Sequence, residues 1–277
     1  MNLDSPAPLF LALVVTGAVA AAAYAARSLT RGGAIAAFAV GASALARAWG
    51  WGAFLIAWFV LASVLSRVGR TRKLQRTDGI IAKGDRRDAM QVLANGGVFG
   101  VLALASSIGD ISTLGGPLRA ESMSAGAAAA LVAAGADTWG TEIGTLRGGQ
   151  PWSIRSWTPV PVGTSGAISL AGTVASAIGA LLLALIAAAF DVIPPGAALL
   201  VAACGFAGAA ADTLVGAWWQ ERRWCNGCGM ETEQAVHRCG AATVRRGGVG
   251  VLTNDVVNFL CTLVGAALTL LLPSPIR

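Results

Sequence analysis

Apolar residues run along this chain in long blocks, not in the short alternations or narrow stripes of a soluble domain. Eight blocks stand out, near residues 7–26, 33–49, 51–66, 89–108, 122–142, 166–190, 196–218 and 249–272. Most approach the roughly 20 residues that a helix needs to cross the hydrocarbon core. Helix is the expected element, because a chain in lipid must satisfy its backbone polar groups internally. The second and third blocks are short and nearly fused at "RAWGWG", so seven spans is the alternative count. The predicted fold class is all-α: a polytopic transmembrane helical bundle, one integral membrane domain over residues 1–277.

Composition agrees. Hydrophobic residues make up 55% of the chain and charged residues 12%, against roughly 25% charged in soluble domains. The mean hydropathy is +0.67. Alanine and the 36 glycines let helices approach closely where no hydrophobic force drives them together. The opening "MNLDSPAPLFLALVVTGAVAAAAYAA" lacks a basic n-region and is long enough to span, so it reads as the first helix. It carries neither a cleavable signal nor an Arg- and Ser-rich transit segment. That favours a prokaryotic inner membrane over a plastid membrane.

The net charge of +6 would suggest nucleic acid in a soluble protein. Here it sets orientation, and no nucleic-acid partner is expected. With the N-terminus outside, the inside loops are 27–32, 67–88, 143–165 and 219–248. They hold 2, 8, 2 and 5 Lys or Arg. Only Arg47, Arg119 and Arg277 fall on the other side.

The polar residues inside the spans converge on that inner face. Asp137 and Asp212, each followed by Thr, lie near the inner ends of the fifth and seventh spans. Asn95 is about two turns into the fourth span. Asn254, Asp255 and Asn258 open the eighth. All lie within roughly 5–12 Å of the cytoplasmic boundary at 1.5 Å per residue. Gly205, Gly208, Asp212 and Gly216 share one helix face, small except for the acid. Thr138 and Glu142 are four apart, as are Gln91 and Asn95. Acids in a membrane cost at least about 2.5–3.5 kcal/mol each. Snorkelling or interhelical hydrogen bonding is the bland account of any single one. Acids and amides at one depth point to a cation site, and oxygen ligands without histidine point to Mg²⁺. Asp137, Asp212 and Asp255 are its candidate ligands.

The same side supplies candidate phosphate cradles, since helix starts bind anions. "VPVGTSGAIS" leads into the sixth span with Gly163, Thr164, Ser165 and Gly166, and Thr164 or Ser165 as N-cap. "VRRGGVGVLTND" brings Arg245 and Arg246 to the eighth. "AKGDRRDAMQVLANGG" brings Lys83, Arg86 and Arg87 to the fourth, and Arg147 follows Glu142. Acids for Mg²⁺ and cations for phosphates are the parts phosphoryl transfer needs. A site in the bilayer implies a lipid substrate.

Of five cysteines, Cys204 and Cys261 lie in spans and are expected to pack. Cys225, Cys228 and Cys239 stand with His237, the one histidine, in "CNGCGMETEQAVHRCG". Three thiolates and an imidazole fill a tetrahedral Zn²⁺ site. A zinc-stapled loop over 219–248 is the expectation. A redox C-x2-C and unmetallated cysteines are the alternatives.

These stretches resemble an integral membrane family that includes the plant phytyl-phosphate kinase and animal transmembrane protein nineteen. The resemblance runs from about residue 80 to 265. It rests on "RRDAMQVLANGG", "AAGADTWGTEIG", "VPVGTSGAISLAG", "GFAGAAADTLVGAWWQ" and "LTNDVVNFL" in that order. It implies transfer of a phosphoryl group from a nucleoside triphosphate to an isoprenyl monophosphate. Asn95, Asp137, Glu142, Asp212, Asn254 and Asp255 would be the functional set. Lys83, Arg86, Arg147, Gly163–Gly166, Arg245, Arg246 and Asn258 would serve the phosphates. Thr141 stands where the family pattern has serine, and "NDVVN" replaces paired asparagines, adding the carboxylate of Asp255. An ion-coupled transporter, a lipid-phosphate flippase and a CDP-lipid-forming transferase are the rival functions. A homo-oligomer is compatible with the pattern.

Overall fold

The computed structural model describes residues 4–77, 80, 86–107 and 120–272. Each of the eight apolar blocks is a helix in it. In chain order these are α1 (Leu9–Ala25), α2 (Arg31–Arg47), α3 (Trp49–Arg67), α5 (Ala89–Ser107), α6 (Ala120–Arg147), α7 (Leu170–Ala189), α8 (Ala198–Trp218) and α9 (Asn254–Leu271). A short basic helix, α4 (Arg70–Arg76), follows α3. The helices alternate in direction. One end joins the start of α1 to the end of α2, through the Ala7 N–H donating to Leu45 O. The other end joins the end of α3 to the α1–α2 turn, where Arg67 Nη2 donates to Ser28 Oγ at 2.6 Å.

Local sequence sets the boundaries. Ala48, extended at φ −170° and ψ 161°, breaks "RAWGWG" into two helices that pack on each other. Thr30 caps α2 by accepting from the Gly33 N–H. Asp88 and Gln91 cap α5 reciprocally, at 2.9 and 3.1 Å, the box expected when an acid stands three residues before an amide.

Five segments are long and apolar enough to cross a membrane alone: α3, α5, α7, Pro195–Trp218 and α9. The α6 helix is different. Every residue from Met123 to Ala136 is buried, because α6 packs against α3, α5, α7, α8 and α9. Alanine and glycine suffice where neighbours, not lipid, cover a helix. At 28 residues, or about 42 Å, α6 outruns the roughly 30 Å hydrocarbon core.

Three sequence expectations need correction at the end where α6 and α8 finish. The sixth span begins at Leu170 rather than near 166, and Ser169 caps it by accepting from Gly172 N at 3.2 Å. Thr164 and Ser165 cannot cap it, because Gly163 and Gly166 stand at φ +95° and +72°, a region that glycine tolerates and helices exclude. There β1 (Trp152–Ser153) pairs antiparallel with β2 (Ala167–Ile168). The eighth span begins at Asn254 instead of 249. The segment before it is strand, so Arg245 and Arg246 lie in β5 rather than in a helix-entry turn. Strand β5 (Val244–Gly247) edges a three-stranded antiparallel sheet, with β3 (Arg222–Cys225) central and β4 (Met230–Thr232) on the far side. This end of the bundle is the sheet end below. Lastly, α6 runs on to Arg147, placing that residue in a helical last turn.

Candidate active site

The site begins with glycine packing. A methyl added at Gly208 would lie 2.6 Å from Cys261 O and 2.8 Å from Ala133 Cβ. One at Gly265 would lie 2.9 Å from Ala129 O and 3.0 Å from Ala133 Cβ. So α6, α8 and α9 touch backbone to backbone at Ala133, Gly208 and Gly265. One turn toward the sheet end, the same three faces carry Asp137, Asp212 and Cys261. Asp212 lies within electrostatic reach of Asp137 and of Glu233, and Cys261 within reach of both aspartates. Asp212 Oδ2 is buried without a hydrogen-bond partner among the described residues. Two facing carboxylates, one with an orphaned buried oxygen, suit a hard cation. On α9, Asn258 precedes Cys261 by three residues and shares its face, with Asn254 exposed a turn further out.

A second group lies across the face of α6. Lys73 of α4 is buried and ion-paired with Glu142. It also donates to the last carbonyls of α3, Leu65 O at 2.8 Å and Ser66 O at 2.9 Å. Arg87 feels the charges of Glu142 and Arg67. On the helical wheel Thr138 and Thr141 fall between Asp137 and Glu142, so the four make one polar face about 140° wide. Asp212 meets one edge of that face, and Lys73 the other. Gln91, Asn95 and Phe99 form a stripe on α5. The Phe99 ring packs on Trp51 and Phe54 of α3, with centroids 5.6 and 6.1 Å apart, and Asn95, one turn before it, donates to Gln91 O at 2.9 Å. Glu142 thus belongs to the α3–α4 side of the polar face, Asp137 and Asp212 to the α8–α9 side.

The glycine-rich turn closes on the acid edge. A Cβ at Gly216 of α8 would meet Ser165 Oγ at 2.7 Å, and one at Gly166 would strike Ala217. Ser165 Oγ donates to Gln220 Oε1 at 2.7 Å, and Gln220 Nε2 donates to Glu233 Oε1 at 2.8 Å. The Thr164 hydroxyl turns back to Pro161 O at 2.8 Å. The remaining cations are scattered. Arg86 donates to Leu29 O at 3.0 Å and stacks over Tyr24. Arg246 lies 4.3 Å over the Trp224 ring, Arg245 runs alongside Gly250, and Arg147 is exposed. Lys83 lies outside the described residues. Asp255, in the first turn of α9, lines a groove between α5 and α9.

Lys73, Gln220 and Glu233 escaped sequence reasoning. Lys73 is one of eight cations in its loop, and nothing in the sequence separates it from the others. Gln220 ends the "GFAGAAADTLVGAWWQ" stretch and Glu233 lies inside the cysteine loop, but only the fold of 219–248 brings Glu233 within electrostatic reach of Asp212.

In the sheet-end loop, ligand atoms of Cys225, Cys228, His237 and Cys239 all lie within 4.8 Å of one another. Cys225 and Cys239 Sγ are 3.6 Å apart, and His237 Nδ1 is 3.2 Å from Cys239 Sγ. The His237 ring holds the Cys239 thiol down at about 6. Cys228 is pushed up to about 11, chiefly by its hydrogen bond with Cys239. The cluster is one that could hold a metal ion.

A family model described as integral membrane protein DUF92 matches residues 14–266. The chain belongs to the DUF92 family of integral membrane proteins. This DUF92 protein is 28% identical to Protein PGR of Arabidopsis thaliana over 282 residues, 94% of each chain. It is 28% identical to an uncharacterized membrane protein of Methanocaldococcus jannaschii over 79% of this chain and 74% of that one. A third relative is Protein VTE6, chloroplastic, of Arabidopsis thaliana, 28% identical over 61% of this chain and 50% of its own. No solved structure matches the chain.

Proposed function

We propose that this DUF92 protein is a kinase that transfers a phosphoryl group from a nucleoside triphosphate to an isoprenyl monophosphate, at the sheet end of the bundle. The carrying observation is the convergence of Asp137 and Asp212 from two helices, with Asp212 Oδ2 buried and unpartnered among the described residues. The resemblance to the family of the plant phytyl-phosphate kinase supports the reading, as does the match to VTE6 over part of its length.

Asp137 and Asp212 would hold Mg²⁺, with Asp255 a further candidate ligand. The ion would neutralise charge on the triphosphate. The Gly163–Gly166 turn, packed against α8 one turn beyond Asp212, would lie beside the same phosphates. An acceptor phosphate oxygen attacks the γ-phosphorus. The bond from that phosphorus to the β-bridging oxygen breaks, and the nucleoside diphosphate leaves with the electron pair. No side chain need remove a proton, because a phosphate monoester is anionic at neutral pH. Glu142, held by Lys73, positions the opposite edge of the polar face.

The Cys225, Cys228, His237 and Cys239 cluster would hold Zn²⁺. Its 3.6 and 3.2 Å edges are near the roughly 3.6–3.8 Å edges of a tetrahedron with bonds of 2.3 Å to sulfur and 2.0–2.1 Å to nitrogen. It would be structural, keeping β4 and Glu233 over Asp212. The sheet end would face the cytoplasm of a prokaryotic inner membrane. The chloroplastic VTE6 makes a plastid membrane the other address.

The test is transfer of label from γ-labelled nucleoside triphosphates to geranylgeranyl monophosphate in Mg²⁺, on purified protein. Labelled diphosphate that disappears in Asp137→Asn and Asp212→Asn is the expected result. Full turnover in both variants would overturn the mechanism. Cation-dependent lipid flux without nucleotide would favour a carrier.

A further inference from the structure

A narrow apolar slot opens between α1, α2, α3 and α5. Its walls include Val19, Ala37, Val40, Ile56 and Phe59. Its polar lining lies toward the sheet end, where Arg87 and Gln91 stand. Along α2 the slot runs from Ala37 to Leu45, a depth of about 12 Å at 1.5 Å per residue.

Arg87 is a built feature. Its backbone is locked to the α1–α2 turn, with Arg87 N donating to Ser28 O and Arg87 O accepting from Thr30 N, both at 3.0 Å. Gly33 packs so closely that any Cβ there would collide with Arg87 O. The guanidinium donates to Ser63 Oγ at 3.0 Å and stacks 5.4 Å over Phe59. Burial lowers its pKa, the cost of keeping a cation from water. Among the described residues, the charges it feels are Glu142 and Arg67. Glu142 is already bonded to Lys73. Beyond that pair, Arg87 lines the sheet end of a largely apolar slot, and Arg67, which donates to Ala26 O and Ser28 Oγ, stands within electrostatic reach of it.

We infer that this slot binds the near part of the isoprenoid tail of the acceptor, with its phosphate held by Arg87 and Arg67. The assignment rests on the proposed acceptor and fixes where it sits. A single-chain amphiphile bearing a dianion matches the apolar walls and the cationic end of the slot. It sets the acceptor phosphate at the Glu142 edge of the polar face, with the triphosphate at the Asp137 edge. The broader groove between α5 and α9 has no Lys or Arg among its described lining residues.

The test reads binding directly. Protein in phosphatidylcholine vesicles is photolysed with geranylgeranyl monophosphate carrying a diazirine near its first isoprene unit, and adducts are mapped. Adducts on α1, α2, α3 and the start of α5 are expected. Excess geranylgeranyl monophosphate should abolish them, and geranylgeraniol should not. Ala37→Phe, which fills the slot, and Arg87→Gln should each cut labelling at least tenfold, whereas Arg87→Lys should retain most of it. Ala267→Phe, in the α5–α9 groove, should leave it unchanged. Adducts on α5 and α9 that Ala267→Phe removes would overturn the assignment, as would slot adducts competed equally by the alcohol. Labelling requires no turnover. Phosphate-competed slot adducts without transfer from any nucleotide would therefore sink the kinase and keep the slot.

Discussion

Gly208→Ala tests whether helix packing positions the acid pair. The added methyl would sit 2.6 Å from Cys261 O and 2.8 Å from Ala133 Cβ, where ordinary contact begins at 3.4 Å. Both neighbours are rigid, one a helix carbonyl and one a Cβ. The α8 helix must therefore retreat from α6 and α9 by roughly 0.8 Å, since a packed interior has no slack. Overpacking of this kind costs about 1–3 kcal/mol. Asp212, one turn along, moves away from Asp137 with it. A displacement near 1 Å at a reacting centre costs up to about 10²-fold in rate. The expected result is a kcat lowered about tenfold to hundredfold, together with a lower Tm in detergent. Gly196→Ala is the control, because nothing lies within 4 Å of a Cβ there. A Gly208→Ala protein with the Tm and kcat of the parent would refute the account, since the close contact would then be no constraint.

Other outcomes follow from the same geometry. Glu142→Gln leaves the buried Lys73 ammonium without its carboxylate and is expected to cost about 3–5 kcal/mol, read as a lowered Tm. Lys73→Met with Glu142→Gln should recover part of that loss. Cys239→Ser is expected to reduce bound zinc, measured by elemental analysis, and to expose the 219–248 loop to protease. Unchanged metal content would exclude the cluster as its site. Gly166→Ala forces a methyl onto Ala217 at a positive φ. It should lower Tm and raise KM for the nucleotide more than for the lipid. A cysteine replacing exposed Arg147 should react with an impermeant maleimide from the cytoplasmic side only; labelling from outside would invert the orientation.

What the sequence by itself determined is the membrane class and the eight helical blocks, because these follow from local chemistry. An apolar run must be helix in lipid, and an acid within one must stand near an end or a partner. The break at Ala48 was not legible: the two blocks read as nearly fused at "RAWGWG", and seven spans stayed the alternative. Tertiary structure decided the rest. The convergence of Ala133, Gly208 and Gly265, which aims Asp137 at Asp212, depends on three helices meeting across 133 residues of chain. The N-cap at Ser169 and the strand at Arg245 were misjudged because a glycine-rich turn looks alike before a helix and inside a hairpin. Lys73 was hidden among like cations, since only the fold chooses which one the half-buried Glu142 receives. The slot at Arg87 has no signature at all: four helices distant in sequence leave it between them, and apolar lining reads the same as apolar core.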